Sequence, residues 1–337
     1  MRALLKINLK NIKYNYLEIK NKTNKKIIAV LKDNAYGHDL VHVGKLLSTL
    51  NVDMIALATF EEALTLRKNL IFTPILLFER CTYYKLILHY KITLSVTSLS
   101  HLKELADTSL PLMIHLEIET GFNRFGLEED QIEKALSIIN NSKLILKGIF
   151  THIASSFTYE NQIKTFNNVI ENIPFYNKLL IHISSSSYIL KQNIYENTIR
   201  IGLALYGIHN ELKLKPAMSL YAPVLRCKKI NVGDMVSYDN EIIKENGYVL
   251  TLGLGYGDGW KKEYKTISYY QNEYYHQVGI TNMDALMIYS KKQIEDKKYI
   301  ELLGEHLTIQ DLCSCYNISP YDFYSSLSPR IKKEFIT

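Results

Sequence analysis

The sequence predicts an α/β protein in which a (β/α)8 TIM-like barrel is followed by a second, C-terminal mostly-β domain. Eight short apolar runs recur over roughly the first 200 residues, and most are continuous rather than alternating, as expected of strands buried on both faces of a parallel sheet. Amphipathic stretches with helical spacing separate these runs. After about residue 215 the chain changes to short strands broken by Gly, Asp and Asn turns, which indicates a separate domain.

The predicted strands and helices alternate along the first domain. The eight strands span 26–31, 53–59, 74–79, 92–97, 112–118, 146–153, 179–185 and 198–205. The helices span 9–20, with Asn8 as its cap, and 39–50, 60–70, 99–107, 128–140 and 160–173. An open doubly wound sheet fits the same alternation, but eight strands favour closure into a barrel. We place the barrel domain at 1–215 and the β-domain at 216–337.

Composition narrows the classes of partner. The net charge of +6 is spread along 337 residues rather than clustered, so no nucleic-acid surface is expected. The four cysteines show no zinc spacing, and the histidines lie on different strands without convergent carboxylates, so no metal site is predicted. No apolar run is long enough for a membrane span or a secretory signal. We therefore expect a cytoplasmic protein with reduced thiols.

Candidate chemistry lies just after the predicted strands, because barrel active sites form at the carboxyl ends of the strands. Lys32 follows the first strand, where partial desolvation would lower its pKa and make the amine nucleophilic. Serines after the seventh strand and Gly202 after the eighth are typical of a phosphate cradle. A rim lysine beside a phosphate cradle fits either a Schiff-base aldolase or an enzyme that uses pyridoxal phosphate (PLP). For Arg200 on the last strand, a structural salt bridge is the less favoured alternative, because an arginine that points into a barrel needs a partner.

Seven segments resemble alanine racemases, in the family's order and over nearly the whole chain. AVLKDNAYGHD (29–39) is similar to their PLP-lysine motif, in which Ala and Gly usually stand at the places of Asp33 and Asp39. The other six segments are GIFTHIASS (148–156), IRIGLALYG (199–207), GDMVSYD (233–239), GYGDGW (255–260), NMDALMI (282–288) and SPYDFYSSLSPR (319–330).

The resemblance implies a PLP-dependent isomerase that interconverts L-alanine and D-alanine, the latter a peptidoglycan precursor. It implies that Lys32 binds the cofactor covalently, that Arg200 faces the pyridine nitrogen and that His152 orients Arg200. An arginine there stays protonated, which would weaken the electron sink and suppress side reactions. The residues that it assigns to the cofactor phosphate are Tyr36, Ser186, Gly202, Leu203 and Tyr321.

The resemblance also implies a two-base reaction in a homodimer with shared active sites. Lys32 would act on one face of the substrate Cα, and the partner subunit's Tyr238 on the other. Arg124 and the backbone at Met283 would bind the carboxylate of a small amino acid, with Tyr256 among the tyrosines that narrow the entrance. Because Tyr238 and Met283 would come from the second chain, the dimer should be head-to-tail.

Three departures from the family pattern bear on these roles. Glu117 stands where many members carry a carbamylated lysine, so Arg124 should be held less tightly or through a water. Ser185 replaces an asparagine, and Asp239 replaces a glycine beside Tyr238. The alternatives that remain are a racemase of serine or another small amino acid and a non-catalytic PLP-binding homologue. A PLP decarboxylase is disfavoured, because its cysteine-containing substrate motif is missing.

Overall fold

The computed structural model describes residues 1–337 and separates them into two compact units. The barrel unit comprises Lys13–Ala35 and Asp39–Leu214. The β unit comprises Met1–Ile12, Tyr36–His38 and Lys215–Thr337. The sequence analysis placed the domain boundary at residues 215 and 216. In the structure, the N-terminal segment and Tyr36–His38 group by their contacts with the C-terminal half of the chain.

The chain begins with β1 (Leu4–Asn8), which leads directly into α1 (Leu9–Thr23). The side chain of Asn8 accepts a hydrogen bond from the Asn11 N–H at 3.0 Å, which is the N-cap predicted for this helix.

Eight parallel strands form a closed barrel, which confirms the predicted fold. They are β2 (Lys26–Val30), β3 (Met54–Leu57), β4 (Ile75–Leu77), β5 (Ile92–Val96), β6 (Met113–Glu117), β7 (Ile145–Phe150), β8 (Leu180–His182) and β9 (Thr198–Ile201). Ile28 of β2 lies opposite Arg200 of β9, and this pairing closes the barrel. It excludes the open sheet. Ile28, Met54, Ala56 and Leu76 form one buried apolar cluster.

Helices follow most barrel strands. They are the left-handed turn α2 (Lys32–Tyr36) and the helices α3 (Leu40–Thr49), α4 (Phe60–Lys68), α5 (Tyr84–His89), α6 (Leu99–Asp107), α7 (Ile132–Asn140) and α8 (Tyr159–Glu171). Thr59 and Glu62 form a reciprocal capping box at the start of α4, which fixes where that helix begins. The sequence analysis missed α5, because only Ile87 of its six residues is buried and so no apolar periodicity marks it.

The β unit is built on an eight-stranded sheet and a two-stranded hairpin. Its remaining elements are β10 (Met218–Ile230), β11 (Met235–Val236), β12 (Glu241–Ile242), β13 (Gly247–Leu252), β14 (Ile267–Tyr270), β15 (Glu273–His276), β16 (Leu286–Ser290), β17 (Tyr299–Leu303), α9 (Ile309–Tyr316), α10 (Pro320–Ser326) and β18 (Lys332–Ile336). Trp260 is fully buried, and its Nε1–H donates to the Thr266 hydroxyl at 2.9 Å.

The N-terminal segment joins the β unit through backbone pairing. β1 pairs antiparallel with β10 and parallel with β18, so that its backbone groups are satisfied on both sides. Sequence reasoning could not show this, because the two partners lie more than 200 residues away. None of the helices combines the length and the apolar composition that a membrane-spanning helix requires.

A buried carboxylate ties the two ends of the chain together within the β unit. Asp258 is 1% exposed and accepts two hydrogen bonds from Arg2, at 2.7 and 2.9 Å. It also accepts one from Arg330 at 2.7 Å and one from the backbone of Gly255 at 2.9 Å. Because the ion pairs satisfy a buried charge, this cluster is structural.

Candidate active site

Lys32 lies immediately beyond the carboxyl end of β2, as the first residue of α2. Its ammonium takes part in no hydrogen bond and no ion pair within the chain. Partial burial lowers its pKa, the charge of Arg124 lowers it further, and the carboxylates of Asp33 and Glu62 oppose the shift. The structure thus places a free amine with a depressed pKa at the barrel's carboxyl end, which is the environment that activates a nucleophilic lysine.

A left-handed turn follows Lys32. The four residues 33–36 have φ between +51° and +56°, although none is glycine. Non-glycine residues in this region cost about 1–2 kcal/mol each, so the surrounding structure must hold the turn. Asn34 supplies part of that restraint, because its N–H donates to Glu62 at 3.2 Å and its side chain accepts from Leu40 at 2.9 Å. Such concentrated backbone strain is typical of functional sites.

Asp39 departs from the family motif but keeps the backbone conformation that glycine favours. Its φ is +81°. Its side chain accepts a hydrogen bond from the His42 N–H at 3.1 Å and so caps α3. The capping contact offsets part of the cost of the positive φ.

Arg200 is buried on β9, and its two terminal nitrogens, Nη1 and Nη2, donate hydrogen bonds to neighbouring strands and loops. Nη1 donates to the imidazole Nδ1 and the carbonyl of His182, both at 2.7 Å. Nη2 donates to the carbonyls of Thr151 at 2.7 Å and Ile183 at 3.2 Å. The Nε–H has no partner in the chain. Burial lowers the pKa of Arg200 to about 10, although the carboxylates of Glu117 and Glu196 oppose the shift, so the guanidinium remains charged at neutral pH.

Two buried histidines, His182 and His115, extend the hydrogen bonds of Arg200 across the barrel. Because an arginine can only donate, His182 must accept at Nδ1 and carry its proton on Nε2. That N–H lies 2.8 Å from Nδ1 of His115, which must accept in turn. The proton of His115 therefore sits on Nε2, which has no partner. Burial holds the pKa of His115 at about 3 and that of His182 far below its ordinary value, so both rings are neutral.

Gly148 on β7 makes this chain of rings possible. His115 lies on β6 and His182 on β8, and Gly148 pairs with His115 between them. A Cβ at Gly148 would lie 2.6 Å from Cε1 of His115, closer than real contacts allow. A glycine inside a strand is the sequence signal that could have indicated this close approach.

His152, which the sequence analysis named as the residue that orients Arg200, makes a longer contact with it. Its Nδ1 lies 3.5 Å from Nη2 of Arg200. Burial lowers the pKa of His152 to about 3, and the charges of Arg200, Arg124 and Lys32 lower it as well. The nearer imidazole is that of His182, the last residue of β8, which the sequence analysis did not single out.

The predicted phosphate residues of the barrel unit lie together after β8 and β9. The hydroxyl oxygen of Ser186 accepts from the N–H groups of Gly202 at 3.0 Å and Ala204 at 3.3 Å. These bonds hold the two loops together and leave the hydroxyl hydrogen free to donate. The N–H of Leu203 has no acceptor in the chain. The pair of loops therefore offers hydrogen-bond donors to an anion.

Glu117 is the last residue of β6, and Arg124 lies in the loop that follows. Arg124 is exposed, with its guanidinium carbon 4.3 Å from the centre of the Phe122 ring. Glu117 is 6% exposed and ends the strand. Burial raises the pKa of Glu117, while the charges of Arg200 and Arg124 oppose the shift. No hydrogen bond links Glu117 to Arg124, in agreement with the expected loose hold on the arginine.

Three predicted residues, Tyr238, Tyr256 and Met283, lie on linked loops of the β unit. Tyr238 is 80% exposed in the turn between β11 and β12. The N–H of Tyr256 donates to the Asn282 carbonyl at 3.0 Å, and the neighbouring Ser237 hydroxyl approaches the Asn282 side chain at 3.4 Å. The N–H of Met283 has no acceptor. Asp239 accepts from the backbone of Ile280 at 3.2 Å, so its carboxylate is engaged.

Tyr36 and Tyr321 approach each other elsewhere in the β unit. Their ring centres are 5.8 Å apart. Tyr36 is buried and Tyr321 is half-exposed on α10. Partial burial raises the pKa of Tyr321, so its hydroxyl stays protonated and can donate at neutral pH.

Comparison with known proteins identifies the family. The alanine racemase N-terminal domain matches residues 7–210, and the alanine racemase C-terminal domain matches residues 217–335. This chain belongs to the alanine racemase family. An alanine racemase of Fusobacterium nucleatum subsp. nucleatum is 30% identical over 356 aligned positions that cover 99% of each chain.

Solved structures of alanine racemases share the fold over the full length. The alanine racemase of Clostridium difficile 630 has a TM-score of 0.92 and 26% identity, over 99% of this chain and 96% of that one. The alanine racemase of Bartonella henselae, solved with covalently bound pyridoxal phosphate, has a TM-score of 0.91 and 23% identity over 100% of both chains.

Proposed function

We propose that this chain is a PLP-dependent isomerase that interconverts L-alanine and D-alanine. The observation that carries the proposal is the free amine of Lys32, with its depressed pKa, at the carboxyl end of a barrel strand. It stands in a family whose Bartonella henselae member holds pyridoxal phosphate covalently. The substrate is assigned from the alanine racemases that match along the whole chain.

The residues of the barrel unit fit the chemical groups of PLP. The amine of Lys32 suits its aldehyde, and the unpartnered Nε–H of Arg200 suits the pyridine nitrogen. The free N–H of Leu203 and the hydroxyl of Ser186 suit the phosphate, beside the backbone of Gly202. The family resemblance extends the phosphate role to Tyr36 and Tyr321, and gives His152 the role of supporting Arg200.

Each side chain has a distinct role around the reacting carbon. When bound, PLP supplies an electron-withdrawing ring that acidifies the Cα–H of the attached amino acid. Arg200 presents a permanently charged donor, which cannot transfer its proton at neutral pH and so limits how far the ring can accept charge. Lys32 holds or releases the Cα proton on one face. The partner subunit's Tyr238 does the same on the other face, so the product differs in configuration.

The proposal includes a homodimer with shared sites. Tyr238 is 80% and Met283 is 55% exposed, and both would serve the partner's site. Arg124 and the free N–H of Met283 would bind the substrate carboxylate. Tyr256, 42% exposed, would narrow the entrance and favour a methyl side chain.

Chiral chromatography tests the proposal directly. Purified protein with PLP should convert L-alanine to D-alanine, and Lys32→Ala should not. Lys26→Ala is the matched control, because Lys26 is an exposed lysine at the opposite end of the same strand. Absence of D-alanine from the wild type, or conversion by Lys32→Ala equal to that of the control, would refute the assignment.

Isotope exchange tests the second base. In D2O, Tyr238→Phe should lose racemisation and exchange the Cα proton of only one enantiomer, because Lys32 still serves one face. If both enantiomers exchanged at the wild-type rate, Tyr238 would not be the second base. Running the chiral assay with L-serine in place of L-alanine compares the racemisation rates of the two substrates. A higher rate with serine would favour the alternative of a serine racemase.

A further inference from the structure

A cavity of about 800 Å³ lies at the opposite end of the barrel from Lys32. It is lined by the first residues of three strands: Met54 of β3, Met113 of β6 and Leu180 of β8. Since Lys32 follows the carboxyl end of a strand, this cavity is separate from the candidate active site. Its volume falls in the range that suits a small organic ligand.

Arg67 gives the cavity an unusual electrostatic feature. It is 7% exposed and forms no ion pair with any carboxylate of the chain. Its Nε donates to the Tyr90 carbonyl at 3.1 Å, and its Nη1 donates to the carbonyls of Ile71 at 2.7 Å and Thr73 at 3.1 Å. The Nη2 group donates to nothing. The three carbonyls compensate part of the desolvation cost of this guanidinium, and an anion at Nη2 would supply the counter-charge that the chain does not.

The rest of the lining is consistent with an anion that carries an apolar body. No Asp or Glu lines the cavity, whereas three exposed lysines do: Lys91, Lys147 and Lys178. None of these lysines forms an ion pair or a hydrogen bond through its ammonium. The apolar walls include Met54, Met113 and Phe72, and Phe72 is 71% exposed.

We propose that this cavity is a binding site for a small amphiphilic carboxylate. The carboxylate would accept hydrogen bonds from Nη2 of Arg67, and the apolar chain would pack against the methionines and Phe72. One negative charge suffices to balance the single buried guanidinium, and the lysines attract the anion without binding it directly. The site is independent of the proposed racemase reaction.

Calorimetric titration of the PLP-loaded protein with decanoate, 1-decanol and decylamine tests this. Decanoate should bind at one site per chain, at least about tenfold more tightly than decanol, because only the carboxylate gains charge-assisted hydrogen bonds. Decylamine should bind more weakly than decanol. Arg67→Met should bind decanoate and decanol alike.

A second set of variants keeps the test decisive if Arg67→Met fails to fold. Replacing the three lining lysines by Gln should weaken decanoate binding by about threefold or more, through loss of long-range attraction. The control replaces three exposed barrel-unit lysines that do not line the cavity, Lys134, Lys143 and Lys164, so the net charge changes equally. Equal affinity for decanoate and decanol, no binding at about 1 mM (an affinity of about 4 kcal/mol), or equal weakening in both triple variants would overturn the proposal.

Discussion

Replacing His182 by Phe should destabilise the barrel unit considerably more than replacing His115 by Phe. The hydrogen-bond chain runs in one direction, from Arg200 to His182 at 2.7 Å and from His182 to His115 at 2.8 Å. His115 ends the chain with an N–H that already lacks an acceptor. A phenyl ring preserves the stacking of residue 182 on Phe150, so the comparison isolates the hydrogen bonds.

The magnitudes follow from which groups lose partners. His182→Phe leaves one N–H of a charged guanidinium and the Nδ1 of His115 unpaired, a cost of about 3 kcal/mol. His115→Phe leaves only the Nε2–H of His182 unpaired and also removes an N–H that was already unsatisfied, a net cost of about 1 kcal/mol. At about 2–4 °C per kcal/mol, the melting temperature should fall by about 6–12 °C in the first variant and by about 2–4 °C in the second.

Thermal unfolding by circular dichroism at neutral pH and saturating PLP measures these shifts. The double variant should resemble His182→Phe alone, because both substitutions remove the same bond between the rings. His182→Asn is the control, since its side-chain oxygen can still accept from Arg200 and should recover part of the loss. Two outcomes would refute the assigned direction of the hydrogen bonds from Arg200 to His182 to His115: equal shifts of the melting temperature in the two single variants, or strictly additive shifts in the double variant.

The pH dependence provides an independent check. The pKa of each buried histidine is lowered in the folded state, to about 3 for His115, against about 6.5 in the unfolded chain. A lowered pKa contributes stability above the unfolded value that is lost as the pH falls. Relative to the double Phe variant, the wild type should therefore lose stability progressively below about pH 6.5.

Three further predictions follow from buried groups. Burial raises the pKa of Glu117, so the folded protein loses stability as the pH rises through that pKa. The Glu117→Gln variant should therefore gain stability relative to the wild type as the pH rises from acid to neutral. It should also turn over alanine more slowly, because Arg124 loses a nearby negative charge. An unchanged pH–stability profile would contradict this. Gly148→Ala should cost about 1–3 kcal/mol through overpacking, and a neutral result in thermal unfolding would disprove the close ring contact. Asp258→Ala should cost about 1–3 kcal/mol in denaturant unfolding, because the buried N–H of Gly255 loses its acceptor and the half-exposed Arg2 and Arg330 lose a buried partner. Asp284→Ala removes an exposed carboxylate that pairs with the same two arginines and should cost less than about 1 kcal/mol.

The barrel and the position of Lys32 could be predicted because their signals are local. A continuous apolar run identifies a strand buried on both faces, and eight such runs separated by helices identify a barrel. The same logic placed Lys32 at a strand's carboxyl end. The capping side chain of Asn8 could be predicted for the same reason, since a cap lies within three residues of the N–H group whose hydrogen bond it accepts.

What the sequence alone determined is therefore the order of the barrel strands, the position of Lys32 at the carboxyl end of a strand and the family motifs, all of which lie in short contiguous segments. The tertiary structure decided the rest: that β1 pairs with strands of the C-terminal half, that His182 rather than His152 is the close imidazole partner of Arg200, and that Arg67 lacks a counter-ion. Each of these depends on which groups from distant segments meet in space. Spacing along the chain does not encode such meetings, because backbone pairing and buried hydrogen bonds join whichever groups packing brings together.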